Sequence, residues 1–287
     1  MRVLITGVAG FIGSHLAEAL TERGDQVWGF DNFATGRKQN WPETEEIDLL
    51  DRHKVYAYAN EIHPDLVIHC AASYKDPDKW HVDTGTNVAG AINAALVAKH
   101  NDCGLVYFQT VLPPISSYAI SKIAGEQYLR LSGQPLAVFR LASIFGPRNL
   151  TGPIPTFYKR IASREVCTVV ENVTRDFIFI EDVVYYVLWH LDSDPVGTFD
   201  VGSGIETPIA SIPRMIGDAL GVEPEITLIP RPSNDVPQYD MTPHRPEMLT
   251  TRLEDAIERT VTSYESEAVF ETYTHLRLES DAARSHT

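Results

Sequence analysis

Short apolar runs alternate along this chain with segments whose apolar residues recur every third or fourth position. The runs are Val3-Leu4-Ile5, Val27-Trp28-Gly29-Phe30, Leu66-Val67-Ile68-His69-Cys70, Gly104-Leu105-Val106-Tyr107-Phe108 and Leu136-Ala137-Val138-Phe139, with a shorter one ending at Asp48-Leu49. Between them, Ile12, Leu16 and Leu20 mark one helical face, and segments 51–61, 85–100 and 118–132 read as helices too. Strand–helix alternation of this kind predicts an α/β fold with a doubly wound parallel sheet. From Gly146-Pro147 onward prolines multiply and the alternation loosens, while 208–220 and 252–271 read as short helices. The expected organisation is a domain over 1–145, rejoined by segments around 176–203, and a smaller α/β lobe made mainly of 146–287. Ligands of such sheets bind at the carboxyl ends of the strands, so the cleft should lie between sheet and lobe.

The turn after the first strand is Gly7-Val-Ala-Gly10-Phe11-Ile12-Gly13. Glycines there spare the tight turn, the approach of a phosphate and the helix–strand packing from side chains. Backbone amides at the start of the following helix, with its positive dipole end, suit a pyrophosphate. The second strand ends in Asp31, close to the ~20-residue spacing at which a carboxylate takes a dinucleotide's ribose. Strand, glycine turn, helix and acid together predict a Rossmann dinucleotide site.

The bulk numbers narrow this reading without changing it. At 287 residues and 44% hydrophobic, the chain can bury a full core. A formal net charge of −15 argues against nucleic acid. It also raises the possibility of an acidic field that attracts a cationic substrate such as an amino sugar. No run approaches the ~20 apolar residues of a membrane span, and Met1-Arg2-Val3 leads straight into the first strand, so no signal peptide is expected. Cys70, Cys103 and Cys167 are scattered and read as reduced thiols of a cytoplasmic protein. The ten histidines show no ligand spacing, and no metal is expected.

Tyr118 and Lys122 stand four residues apart, on one helical face. A free phenol ionises near pH ~10 and is a poor base at neutrality, but a neighbouring ammonium favours the phenolate. Thr110 offers a hydroxyl at the end of the fifth strand. Beside a dinucleotide, these groups suggest hydride transfer at an alcohol carbon: Thr110 holds the oxygen, Tyr118 moves its proton, and Lys122 tunes the phenol and binds the nicotinamide ribose.

At these residues the chain resembles the extended short-chain dehydrogenase/reductases, specifically the NAD-dependent sugar epimerase/dehydratase group. The resemblance runs from Thr6-Gly7 to Gly13-Ser14-His15 and through Asp31-Asn32-Phe33-Ala34-Thr35-Gly36-Arg37 and His69-Cys70-Ala71-Ala72. It continues through Thr86-Asn87-Val88, Tyr118 to Lys122, Gly146-Pro147-Arg148-Asn149, and Arg175-Asp176-Phe177 to Glu181-Asp182-Val183. It implies NAD as cofactor, with Asp31 repelling the extra phosphate of NADP, although Arg37 nearby leaves NADP possible. Phe11, Ile12, Asn32, Phe33, Thr35 and Gly36 would border the cofactor, with Asp48 and Leu49 edging the adenine and Ala71, Ala72 and Asn87 lining the groove. On the substrate side it implies Ser143 and Asn149. Arg175 and Arg231 read either as substrate contacts or as interlobe ion pairs, and Lys75 either as a pocket lysine or as a solvated charge. Family members often dimerise through the tyrosine-bearing helix, so a homodimer is expected.

Two departures stand out. In the family the hydroxyl residue usually precedes the tyrosine by a much longer segment, which covers part of the sugar pocket. Here only Val-Leu-Pro-Pro-Ile-Ser-Ser intervenes, so the pocket has lost that cover unless a loop is missing from the sequence. Ser143 stands where the family often has asparagine. Dehydratases of the family place acids just after the hydroxyl residue, whereas Val111-Leu112 follow Thr110, which disfavours dehydration. The expected activity is epimerisation of a sugar nucleotide by transient oxidation of a hydroxyl. The alternative is a reductase or dehydrogenase of a keto- or amino-sugar of secondary metabolism. The intact Thr110, Tyr118 and Lys122 weigh against a non-catalytic dinucleotide sensor.

Overall fold

A computed structural model of the chain describes residues 1–74, 76, 78–193, 196–231, 242–267 and 272. The first part runs β1 (Arg2–Thr6), α1 (Phe11–Glu22), β2 (Gln26–Asp31), β3 (Glu45–Glu46), α2 (Arg52–Ile62), β4 (Leu66–His69), α3 (Trp80–Asp83), α4 (Gly90–Asn101), β5 (Gly104–Thr110), α5 (Ser117–Leu131) and β6 (Leu136–Leu141). It continues as β7 (Ser143–Phe145), α6 (Pro153–Ala162), β8 (Cys167–Val170), β9 (Thr174–Phe179), α7 (Ile180–Leu191), β10 (Gly197–Val201), β11 (Glu206–Pro208), α8 (Ile212–Leu220), β12 (Ile226–Ile229) and α9 (Leu253–Glu267).

Seven strands form a parallel sheet in the order β10-β6-β5-β4-β1-β2-β3. Alternate residues supply its two faces, as strand pleating requires. Val3, Ile5, Ile68, Val106 and Phe139 pack on one face, and Leu4, Val67, Leu105, Tyr107 and Val138 on the other. The strand order reverses between β1 and β4, and a crevice opens at their carboxyl ends. The expected strand ending at Asp48-Leu49 instead occupies Glu45–Glu46, paired with Phe30 and Asp31. Two residues on a sheet edge carry no periodicity to read, and Asp48-Leu49 fall in the following turn.

Side chains set the starts of two helices. Asp51 accepts the Lys54 N–H at 3.2 Å to cap α2, and Ser116 accepts the Ala119 N–H at 3.2 Å to cap α5. The expected helix over 85–100 divides in two: α3 passes through a π-helical stretch, Thr84–Ala89, before α4 begins. The reason is close packing, since a Cβ at Gly125 of α5 would stand 2.2 Å from the Asn87 carbonyl oxygen. Among the C-terminal segments, 208–220 resolves into a 3₁₀ turn and α8. The expected 252–271 helix is α9, with 268–271 outside the described residues.

After Leu141 the chain leaves the sheet. β7, β9 and β11 form a three-stranded sheet, and β8 pairs with β12. β10 returns to the main sheet beside β6, and α7 packs on α1. Arg148 clasps α1 from the second lobe, donating to both Glu18 carboxylate oxygens at 2.6 and 3.0 Å and to Ser14 Oγ at 3.1 Å. The buried Tyr264 of α9 donates to the Asn149 carbonyl at 2.6 Å. The Arg148 bonds tie the chain after β7 to α1, and the Tyr264 bond ties α9 to that same segment. Among the described residues no helix is long and apolar enough to cross a membrane.

Candidate active site

One cavity of about 500 Å³ fills the crevice at the strand reversal. Its first end is the glycine turn. Gly7 adopts φ +71°, and a Cβ there would stand 2.7 Å from the Ala71 backbone nitrogen. A Cβ at Gly13 would stand 2.3 Å from the Gly7 carbonyl oxygen. Gly10 begins α1 with no side-chain cap among the described residues, and Gly10, Phe11, Ile12 and Gly13 line the cavity. This cradle of small residues around first-turn amides fits a dinucleotide's pyrophosphate. Gly13→Ala is expected to reduce retained NAD about tenfold, because the clash is with backbone that cannot swing aside. NAD measured after denaturing the purified variant checks this.

The buried Asp31 also lines the cavity, and its Oδ1 accepts the Phe33 N–H at 2.8 Å. Burial pushes its carboxyl up, while backbone N–H groups of Phe33, Ala9 and Asn32 pull the other way. Gly36 makes room for it, since a Cβ there would come 2.7 Å from Asp31 Oδ2. Asn32 donates to Asp48 Oδ2 at 3.3 Å along the rim. Asn32, Thr35, Asp48, Leu49, Ala71 and Ala72 line this end. Phe33, Gly36 and Arg37 are not on the wall, and the Arg37 backbone N–H donates to the Ala9 carbonyl.

Thr110, Tyr118 and Lys122 line the middle. The chain passes from Thr110 to Ser117 through residues 111–116 alone, of which Val111 and Leu112 line the cavity. The Leu112 N–H donates to Thr110 Oγ1 at 3.1 Å, which leaves the hydroxyl proton to give. Lys122 is 3% exposed, and its Nζ lies 4.0 Å from the centroid of Tyr107. Tyr107 fastens this turn of α5 by donating its hydroxyl to the Lys122 carbonyl at 3.0 Å. Behind it His69 stacks on Tyr107 at 5.6 Å and shares a 2.7 Å hydrogen bond with Thr6. Burial, then Lys122, pushes His69 down to about 3, so the ring is neutral. Burial pushes the Lys122 ammonium down to about 7 against the opposing pull of Cys70 and Glu126. Burial, followed by Tyr74 and Asp83, pushes the Tyr118 phenol up, so this geometry keeps it protonated.

Ser143 of β7, Asn149 and Arg175 of β9 also line the cavity. Asn87, expected on the groove, is instead fully buried. The π-helical stretch turns its amide onto the backbone of Ser73, from which Oδ1 accepts the N–H at 2.8 Å. Arg231 is not on the wall, and Lys75 lies outside the described residues. Residues not singled out from the sequence also line the cavity, among them Tyr74, Gln109, Thr156, Arg160 and Thr168. Arg160 donates to the Val166 carbonyl at 3.1 Å. Its four-residue spacing from Thr156 on α6 was the available signal; Tyr74 had none. The acids of the wall are Asp31 and Asp48, from β2 and the turn after β3, and the cations are Lys122, Arg160 and Arg175, from α5, α6 and β9. That balance suits an anionic ligand, not the cationic one that the overall charge suggested.

The model of the NAD dependent epimerase/dehydratase family matches residues 3–202. The UDP-glucose 4-epimerase of Mycolicibacterium smegmatis is 28% identical over 268 residues, covering 78% of this chain and 85% of that protein. Among solved structures, the Bordetella bronchiseptica enzyme WbmH in complex with NAD+ is 36% identical, with a TM-score of 0.86 over 93% of this chain and 99% of its own. The enzyme WbmG of the same organism, in complex with NAD and UDP, is 32% identical, with a TM-score of 0.84 over 96% of this chain and 99% of its own.

Proposed function

The chain belongs to the NAD-dependent epimerase/dehydratase family, and we propose on that premise that it inverts one carbon of a UDP-linked sugar. The observation that carries this reading is one cavity lined by the glycine turn, by Thr110, Tyr118 and Lys122, and by the cations Arg160 and Arg175. The glycine turn, Asp31, Asn32, Thr35, Asp48, Leu49, Ala71 and Ala72 would hold NAD, and Asp31 without Arg37 on the wall disfavours the extra phosphate of NADP. When bound, NAD supplies a hydride acceptor that can give the hydride back, so that a carbinol is oxidised to a ketone and reduced again.

Thr110 Oγ1 donates to the reacting sugar oxygen. Tyr118 Oη removes the proton of that hydroxyl as its carbon is oxidised and returns a proton on reduction, so the proton account closes within one turnover. Because burial keeps the phenol protonated, the ionised form depends on positive charge in the cavity, and Lys122 supplies part of it. Arg175 and Arg160 hold the diphosphate, while Ser143 and Asn149 flank the sugar. Inversion requires the ketone to turn over while its diphosphate stays anchored, and the shortness of segment 111–116 supports room for that turn.

In this reading residues 1–145, with segments around 176–203, form the cofactor domain, and 146–287 mainly the substrate lobe. The exposed Ile120, Tyr128 and Leu131 of α5 support a homodimer through that helix. Three free cysteines support a cytoplasmic location, and action on a UDP-linked sugar would place the protein in carbohydrate biosynthesis. The test is a panel of UDP- and dTDP-sugars followed by NMR, together with NAD released from freshly purified protein. Inversion without net consumption of NAD is the expected result. Oxidation of NADH or NADPH by a keto-sugar, with no inversion anywhere in the panel, would replace this reading with a reductase.

A further inference from the structure

Tyr118 sits in the first turn of α5, where no earlier helical turn offers a surface for its ring. Behind it the chain returns to Thr110 through residues 111–116 alone. The ring nevertheless has a close neighbour from another element. The edge of Tyr74 meets the Tyr118 ring with centroids 4.5 Å apart and planes at 72°, an arrangement that aromatic quadrupoles favour. We infer that Tyr74 is the positioning residue of this site, its ring holding the Tyr118 phenol in line for proton exchange with the sugar. The inference rests on the reading of Tyr118 as the group that moves that proton.

Tyr74 can do this because its own place is fixed. The Ser73 N–H donates to Asn87 Oδ1 at 2.8 Å, and Asn87 Nδ2 donates back to the Ser73 carbonyl at 3.1 Å. Ser73 Oγ donates to Asp83 Oδ1 at 2.8 Å. The segment after β4 is thereby pinned at the residue before Tyr74. The same Asn87 amide also donates to Ser121 Oγ at 2.9 Å, and Ser121 donates to the Tyr118 carbonyl at 2.8 Å. One buried amide therefore carries both the loop that bears Tyr74 and the helical turn that bears Tyr118. The spacing of the two rings is set by short bonds and not by the length of either segment.

Burial raises the Tyr74 phenol to about 12, and the charge of Arg175 lowers it. Tyr74, Tyr118 and Arg175 line the same cavity. The contact with Tyr118 is made by the Tyr74 ring. A phenylalanine should therefore serve, and an aliphatic side chain should not.

Tyr74→Phe and Tyr74→Leu, prepared as NAD-loaded protein, separate the possibilities. Tyr74→Phe should keep kcat within about threefold, whereas Tyr74→Leu should lose on the order of 10- to 100-fold in kcat, with KM and NAD content unchanged. Crystal structures of the two should show Tyr118 in place in the first and displaced in the second. An unmoved Tyr118 ring in Tyr74→Leu overturns the proposal. So does a loss confined to KM, which would mark a substrate contact instead. If the unsubstituted protein inverts no UDP-sugar, the epimerase reading fails on that result, and the position of Tyr118 in the two variants still decides the role of Tyr74.

Discussion

Tyr118→Phe is expected to lower turnover by about 10³-fold or more while leaving retained NAD within about twofold of the unsubstituted protein. The substitution removes only the phenolic oxygen. The ring stays against Tyr74, and the backbone bond from Ser121 to the Tyr118 carbonyl is untouched. The glycine turn and Asp31 lie on β1, α1 and β2, away from α5, so the cofactor cradle keeps its shape. Without Oη, the proton of the sugar hydroxyl loses its acceptor: burial leaves His69, at about 3, too weak a base and keeps Cys70 a thiol, and the Lys122 Nζ faces the Tyr107 ring. Thr110 is too weak a base to replace it. The measurement is kcat on whichever UDP-sugar is inverted, beside NAD released on denaturation. Turnover within tenfold of the unsubstituted protein would remove Tyr118 from the mechanism.

How much of this was legible in the sequence depends on whether the signal was local. The glycine turn, the acid at the end of β2 and most of the alternation of runs are local, and these fall where period or spacing indicates, the strand expected to end at Asp48-Leu49 being the exception. Tyr118 and Lys122 are separated by one helical turn, so their shared face follows from helix geometry. Asn87 shows the limit of that logic. Its segment has a helical period, but packing of Gly125 against the Asn87 carbonyl accompanies a wider turn, and the amide points inward at Ser73. Tyr74 was invisible for a different reason: its partner lies far along the chain and is met only through the loop fixed by Asn87. The charge balance misled in its own way. A net −15 is a sum over the whole surface, whereas a ligand meets only the wall, where Lys122, Arg160 and Arg175 outnumber Asp31 and Asp48.

Lys122→Met should abolish most turnover and, in the same protein, raise its stability. Lys122 is a buried ammonium that faces the Tyr107 ring, and no carboxylate forms an ion pair with it among the described residues. A cation over an aromatic face recovers part of the lost hydration but not all of it. The shift down to about 7 expresses that cost. Its sign in a stability profile follows from linkage. Between about pH 7 and about pH 10 the unfolded chain holds a proton on this lysine that the folded chain has released, so the group's contribution to stability rises with pH across that window. Below about pH 7 both states are protonated, and the folded state bears the full burial cost. Methionine has similar length and no charge, so the advantage of Lys122→Met should be largest near pH ~6 and fade toward pH ~9. An advantage of about 1 kcal/mol or more would raise Tm by about 2–4 °C in cofactor-free protein at the lower pH. Turnover should fall about 100-fold, because the phenol of Tyr118 loses a cation that favours its ionised form. Thermal melts at the two pH values, beside kcat, test both signs at once. A Tm difference that ignores pH, or a variant less stable near pH ~6, would mean that Lys122 is not held in the fold as a strained cation.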